Sequence, residues 1–75
     1  MQDDRDEKAT PRNTLSPRQL ECLRLAADGK TSLEIGIILG ISHRTVDDYF
    51  VDAYRRLGVR GRVQAVARAK ELGFI

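Results

Sequence analysis

From Leu15 onward the chain alternates between apolar stripes at helical spacing and short breaks built on glycine, and most breaks lead into a helix-start signal. Ser16 stands as an N-cap, with Pro17 at the first helical position, Gln19 three residues on, and Leu15 and Leu20 spaced as a hydrophobic staple. Leu20, Leu23 and Ala27 then recur at i, i+3 and i+7, with Glu21, Arg24 and Asp28 opposite and Gly29 as a left-handed stop. This predicts a first helix over about Pro17 to Asp28. Thr31 and Glu34 form a second capping box. The run Leu33, Ile35, Ile37, Ile38 and Leu39 is apolar all round until Gly40, which predicts a short helix buried on most sides. Ser42 caps a third helix, with Ile41 and Val46 as its staple, and Val46, Phe50, Ala53 and Leu57 hold one face up to Gly58. A fourth helix is expected over about Gly61 to Leu72, stopped at Gly73, with Phe74 folding back as the apolar partner of that stop.

The pattern therefore predicts an all-α, four-helix domain over 15–75. Residues 1–14 carry no apolar side chain larger than Ala after Met1 and read as a disordered leader or linker. Seventy-five residues make one domain at most, and a chain of this size buries only about 60% of the surface its unfolded form exposes. With 41% hydrophobic and 32% charged residues there is enough apolar material for a small core. The single cysteine, Cys22, cannot form an internal disulfide, and no Cys/His spacing suits zinc, so the helices must carry the stability. No apolar run approaches a membrane span and the start, MQDDRDEK, is charged, so a cytoplasmic chain with no membrane partner is expected. Enzyme chemistry finds no footing: His43 is the only histidine, and there is neither a cluster of carboxylates nor a glycine-rich phosphate loop. No cofactor or metal is expected, and Cys22 reads as a small packed side chain.

Charge is distributed unevenly. The leader holds three basic and four acidic residues, net −1, and the remainder ten basic and seven acidic, net +3, a weak preference for polyanions. The two middle helices sharpen it. A helix of about two turns, a tight glycine turn and a longer amphipathic helix with a capped start make a helix-turn-helix unit. Gly36 lies where two such helices cross closely, and Ile35, Leu39, Ile41, Val46 and Tyr49 fall where the unit buries apolar groups. The alternative on spacing alone is an ordinary helical hairpin.

With Val46, Phe50, Ala53 and Leu57 turned inward, steps of 100° leave Arg44, Asp48, Val51 and Arg55 outward, flanked by Asp47, Thr45 and Asp52. Arg44, Asp47, Asp48, Val51 and Arg55 are the candidate base-reading set. The capped helix start, with Ser42, His43, Arg44 and Thr45, can anchor a phosphate, as can Thr31 and Ser32 at the preceding helix. Arg56, Arg60 and Arg62 are candidate phosphate clamps. The acids oppose phosphates unless they accept from a cytosine amino group or pair within the helix, as Arg44 with Asp48 and Asp52 with Arg56. Pairing is the favoured role for Asp52, whereas Asp47 and Asp48 fit either.

The stretches LSPRQLECLRLAADGKTS, EIGIILGIS with TV two residues on, RRLGVRGRVQAV and the ending ELGFI together resemble the LuxR-type (GerE-type) helix-turn-helix domain of bacterial transcription regulators. The resemblance covers everything but the leader. It implies a four-helix domain that binds double-stranded DNA with its third helix in the major groove, usually as a dimer in which the last helix meets its mate. It also implies that the positions after Thr45 and Val46 reach bases. The chain departs from the family in carrying Asp47 where Lys or Asn is common and Tyr49 where His is common, so a sequence preference does not transfer. Most members carry a sensing domain upstream, which the leader cannot supply; a stand-alone regulator and an excised domain both fit.

The fourth helix shows two apolar strips, Val63, Val66 and Ala67 on one side and Ala65, Ala69 and Leu72 on another. One faces the core. Ala65, Ala69 and Leu72 are the expected contact of a homodimer, which would set two recognition helices about 34 Å apart. The rival reading is a protein-protein interaction module of the same fold with weak DNA binding, docking on RNA polymerase or another regulator.

Overall fold

The computed structural model describes residues 14–75 and contains four α-helices and no strand among them: α1 (Pro17–Ala27), α2 (Ser32–Leu39), α3 (His43–Leu57) and α4 (Arg62–Glu71). The expected leader lies, apart from Thr14, outside the described residues. The helices begin where the caps predict. The Ser16 hydroxyl accepts from the Gln19 N–H while the Gln19 carboxamide oxygen accepts from the Ser16 N–H, and Thr31 and Glu34 repeat the reciprocal pair. The Thr31 N–H donating to its carboxylate holds Glu34 below the usual carboxylate range. Each helix is followed by a glycine of positive φ. At Gly40 (φ 74°) it lets the chain reverse within two residues, with the Ile41 N–H reaching back to the Gly36 carbonyl at 2.9 Å. The expected fold-back at the C-terminus is present: the Phe74 N–H donates to the Ala69 carbonyl at 2.8 Å, and Phe74 packs half-buried on the core.

The core is built by α3. Val46, Phe50, Ala53 and Leu57, the predicted inward face, are buried against Leu15, Cys22 and Leu23 of the α1 side, Ile35 of α2, and Ala65 and Ala69 of α4. Burial pushes the Cys22 thiol up from its ordinary value, consistent with a packed side chain rather than a reactive one. The buried face of α1 runs through Gln19, Cys22 and Leu23, so Ala27, expected on the apolar stripe, stays exposed.

Two further expectations are corrected. Helix α2 is not buried on most sides. Only Ile35 and Gly36 are enclosed, while Leu33, Ile38 and above all Ile37, at 74% exposure, face outward. Its eight residues make barely two turns, so neighbours can cover one side of it and no more. Ile37→Gln should accordingly leave the thermal midpoint within the shift of about 0.5 kcal/mol typical of surface changes; a loss of 2 kcal/mol or more, on the order of a core deletion, would show the side chain to be covered.

The second correction concerns α4. Ala65 and Ala69 have 0% exposure and belong to the core of a single chain, so they cannot be the surface that meets a second copy. Of the other strip, Val63, at 82% exposure, and Ala67 face outward while Val66 packs half-buried on the core, and Leu72 keeps a partial exposure near the helix end. The small alanines take the inner side because α4 lies close against both α1 and α3 there.

Candidate nucleic-acid interface

Helix α3 offers the surface on which most of the candidate residues meet. Its N-terminus is closed by Ser42, whose hydroxyl accepts from the Thr45 N–H at 3.1 Å and lies 3.0 Å from the Thr45 hydroxyl. The N–H groups of the first turn that the cap leaves unpaired, and the positive end of the helix, open beside the exposed His43 and Arg44. Along the next turns Arg44, Asp48, Val51 and Arg55 are all exposed on the side opposite the core face. The helix is held at its start by Gly36: a Cβ there would lie 2.6 Å from the Ile41 carbonyl oxygen and 3.2 Å from the His43 nitrogen. Only a side-chain-free residue lets α2 pass so close to the turn.

The acids separate into distinct environments. Asp52 pairs with Arg56 at 3.1 Å, as favoured from the spacing, and also accepts from the Gln19 side-chain amide of α1. No ion pair joins Arg44 to Asp48, both described residues, so Asp48 remains on the outward face. Asp47 accepts from the Ser32 hydroxyl of α2 at 2.6 Å, a contact fifteen residues away in the chain that neither of the two roles expected for it included.

The three arginine clamps also divide. Arg56, its side chain only 13% exposed, is turned toward α1 and donates to the Thr14 carbonyl as well as to Asp52, so it is a strut rather than a free phosphate ligand. Arg62 donates to the Lys30 carbonyl at 3.0 Å and to the Ser32 hydroxyl at 2.6 Å, and its guanidinium lies 4.3 Å from the centroid of the Phe50 ring. Ser32, expected to meet phosphate, gives its one hydroxyl proton to Asp47. Arg60 is exposed, with its backbone N–H held by the Gln64 side chain at 3.1 Å. Thr31 stands exposed as the cap of α2. Sequence reasoning missed Gln19–Asp52, Ser32–Asp47 and Arg62 over Phe50. Each joins residues distant in the chain, and none leaves a periodic signal.

Among the described residues no group of three His, Cys, Asp or Glu side chains could hold a metal ion, and no helix is long and apolar enough to cross a membrane. Residues 13–69 match the family model described as bacterial regulatory proteins, luxR family. The quorum sensing-dependent transcriptional regulator RpaR of Rhodopseudomonas palustris is 47% identical over 91% of this chain, and the transcriptional activator VanR of Vibrio anguillarum 42% identical over 89%. This chain spans 28% of the length of each. Among solved structures, the transcription factor GerE superposes with a TM-score of 0.77 at 33% identity, over 80% of this chain and 90% of its own. The response regulator ChrA of a heme-sensing two-component system gives 0.81 at 31% identity, over 93% of this chain and 35% of its own. A four-helix fold shared with GerE, a helix-turn-helix closed on Gly36 and Gly40, and relatives that are transcription regulators lead to one conclusion: the chain carries a regulator's helix-turn-helix domain and belongs to the luxR family of bacterial regulatory proteins.

Proposed function

We propose that this domain binds double-stranded DNA sequence-specifically, with α3 in the major groove. The observation that carries the reading is the exposed row Arg44, Asp48, Val51 and Arg55 on a helix whose opposite face is wholly packed. Phosphates would be met by His43 and the open start of α3, by Thr31 at the start of α2, and by Arg60. A two-fold dimer through the outward strip of α4, Val63 and Ala67, would present two such helices about one DNA turn apart. The names of the relatives support a role in transcription; none of them identifies the DNA sequence this chain prefers.

The test is selection from a random duplex library at physiological salt, followed by affinity against salt concentration. A motif of two half-sites about one turn apart is expected, and Arg60→Ala should weaken all sequences alike and reduce the logarithmic salt slope by about one phosphate's worth, roughly 0.9. Asp48→Ala should instead change the preferred base at one position. Enrichment of nothing would favour the protein-binding alternative, for which the exposed Leu33, Ile37 and Ile38 of α2 are the supporting feature.

A further inference from the structure

We infer that Asp47 is a positioning residue for DNA recognition and makes no base contact: it holds the starts of α2, α3 and α4 in one arrangement through Ser32 and Arg62. The inference rests on the duplex-binding reading above and adds a role to a residue placed on the rim of the base-reading row.

The geometry is a closed loop of contacts. The Ser32 hydroxyl has one proton, donated to the Asp47 carboxylate at 2.6 Å, and its oxygen accepts from Arg62 Nη2 at 2.6 Å. The other arm of the same guanidinium, Nη1, donates to the Lys30 carbonyl at 3.0 Å, and its plane lies over the Phe50 ring. Phe50 is one turn beyond Asp47 on α3, so Arg62 is tied to the recognition helix twice, by the ring directly and by the carboxylate through Ser32. Short bonds to charged partners are the stronger kind of hydrogen bond. The loop engages Ser32 and Arg62, two of the groups expected to meet phosphate, and turns the Asp47 carboxylate toward α2. What it supplies in exchange is a fixed offset between the open start of α2 and the row Arg44, Asp48, Val51 and Arg55. Backbone and base contacts must be made together, so that offset sets how well both can be made at once. The negative charge of Asp47 weakens binding to every sequence alike, since phosphates repeat regardless of base.

Asp47→Asn and Asp47→Ala remove the same charge, but Asn keeps an acceptor for the Ser32 hydroxyl. Their ratio of affinities therefore isolates the hydrogen bond from the charge. Both variants are made in the full chain, with Ser32 and with Ser32→Ala, and titrated at fixed salt against the duplex that the unsubstituted chain selects. The Asn variant should bind about fivefold tighter than the Ala variant when Ser32 is present, and equally when it is Ala. All should select the same sequence. Persistence of the ratio without the Ser32 hydroxyl, or a changed base at any selected position, would overturn the role. So would equal affinities of the Asn and Ala variants with a difference confined to the thermal midpoint, the mark of a merely structural contact. If the unsubstituted chain selects no sequence, the DNA-binding reading fails and this one with it. If it selects one and any of the three contrary results appears, only the role of Asp47 falls.

Discussion

Gly36→Ala is expected to destabilise the domain by about 3 kcal/mol, the upper end for a methyl forced into a filled space, and to lower the thermal midpoint by roughly 12–24 °C in a domain of this size. The added Cβ would stand 2.6 Å from the Ile41 carbonyl oxygen, closer than carbon and oxygen can approach, and 3.2 Å from the His43 nitrogen. Both atoms are backbone, so no side chain can swing aside; either the α2–α3 turn opens or α2 lifts away. Gly40→Ala separates this effect from simple turn strain. Gly40 has φ 74° but nothing within 4 Å of a built Cβ, so its loss should cost only the left-handed penalty, about 1–2 kcal/mol. Thermal unfolding of the two variants side by side checks the ordering. Equal midpoints would mean that the crossing is loose, and that the turn rather than close approach fixes the start of α3.

Gly36 also shows which kind of information the sequence carried. Caps and stops are settled among residues close in the chain, so Ser16 with Gln19, Thr31 with Glu34, and, at the two ends of α3, Ser42 and Gly58 were legible as helix ends, and all are present. The inward face of α3 was legible for a related reason: over fifteen residues one stripe of Val46, Phe50, Ala53 and Leu57 has no apolar competitor of equal length. The same reasoning failed where competitors existed. On α4 two apolar strips were available, and periodicity does not say which meets the other helices; the strip of small alanines went inward because the packing there is close. On α2 an all-apolar composition suggested burial, but exposure depends on how many neighbours two turns can touch, which is a property of the whole fold. The candidate site divided in the same way. Arg44, Asp48, Val51 and Arg55 followed from helical periodicity, as did the pair Asp52–Arg56, whereas the Ser32 partner of Asp47, the Thr14 carbonyl that Arg56 meets and the Lys30 and Ser32 partners of Arg62 lie far away in the chain. A side chain's type states what it can bond to; only the fold states whether the protein itself supplies the partner.

Asp52→Ala should cost about 3 kcal/mol, more than a surface carboxylate would, because Asp52 is the shared acceptor of two enclosed donors. Gln19 is 3% exposed, and its side-chain amide donates to Asp52 while its oxygen caps α1. Removing the acceptor leaves the Gln19 amide without this partner in a place water reaches poorly, at a cost of roughly 1–3 kcal/mol, and takes one acceptor from the Arg56 guanidinium. Asp52→Asn keeps an oxygen for the same donors and gives up only the charge, so it should retain most of the stability and lose about 1 kcal/mol. Urea unfolding of both variants, compared at unchanged slope, distinguishes the contributions. An Asn variant as weak as the Ala variant would mean that charge rather than acceptor geometry matters, and an Ala variant within about 0.5 kcal/mol of the parent would mean that water replaces the carboxylate. The consequence reaches the interface because Asp52 lies one turn beyond Asp48 on α3. The two acids look alike in the sequence, yet one fastens α3 to α1 and the other stands on the outward face, so Asp52→Ala should loosen the helix without changing the side chains that its outward row presents.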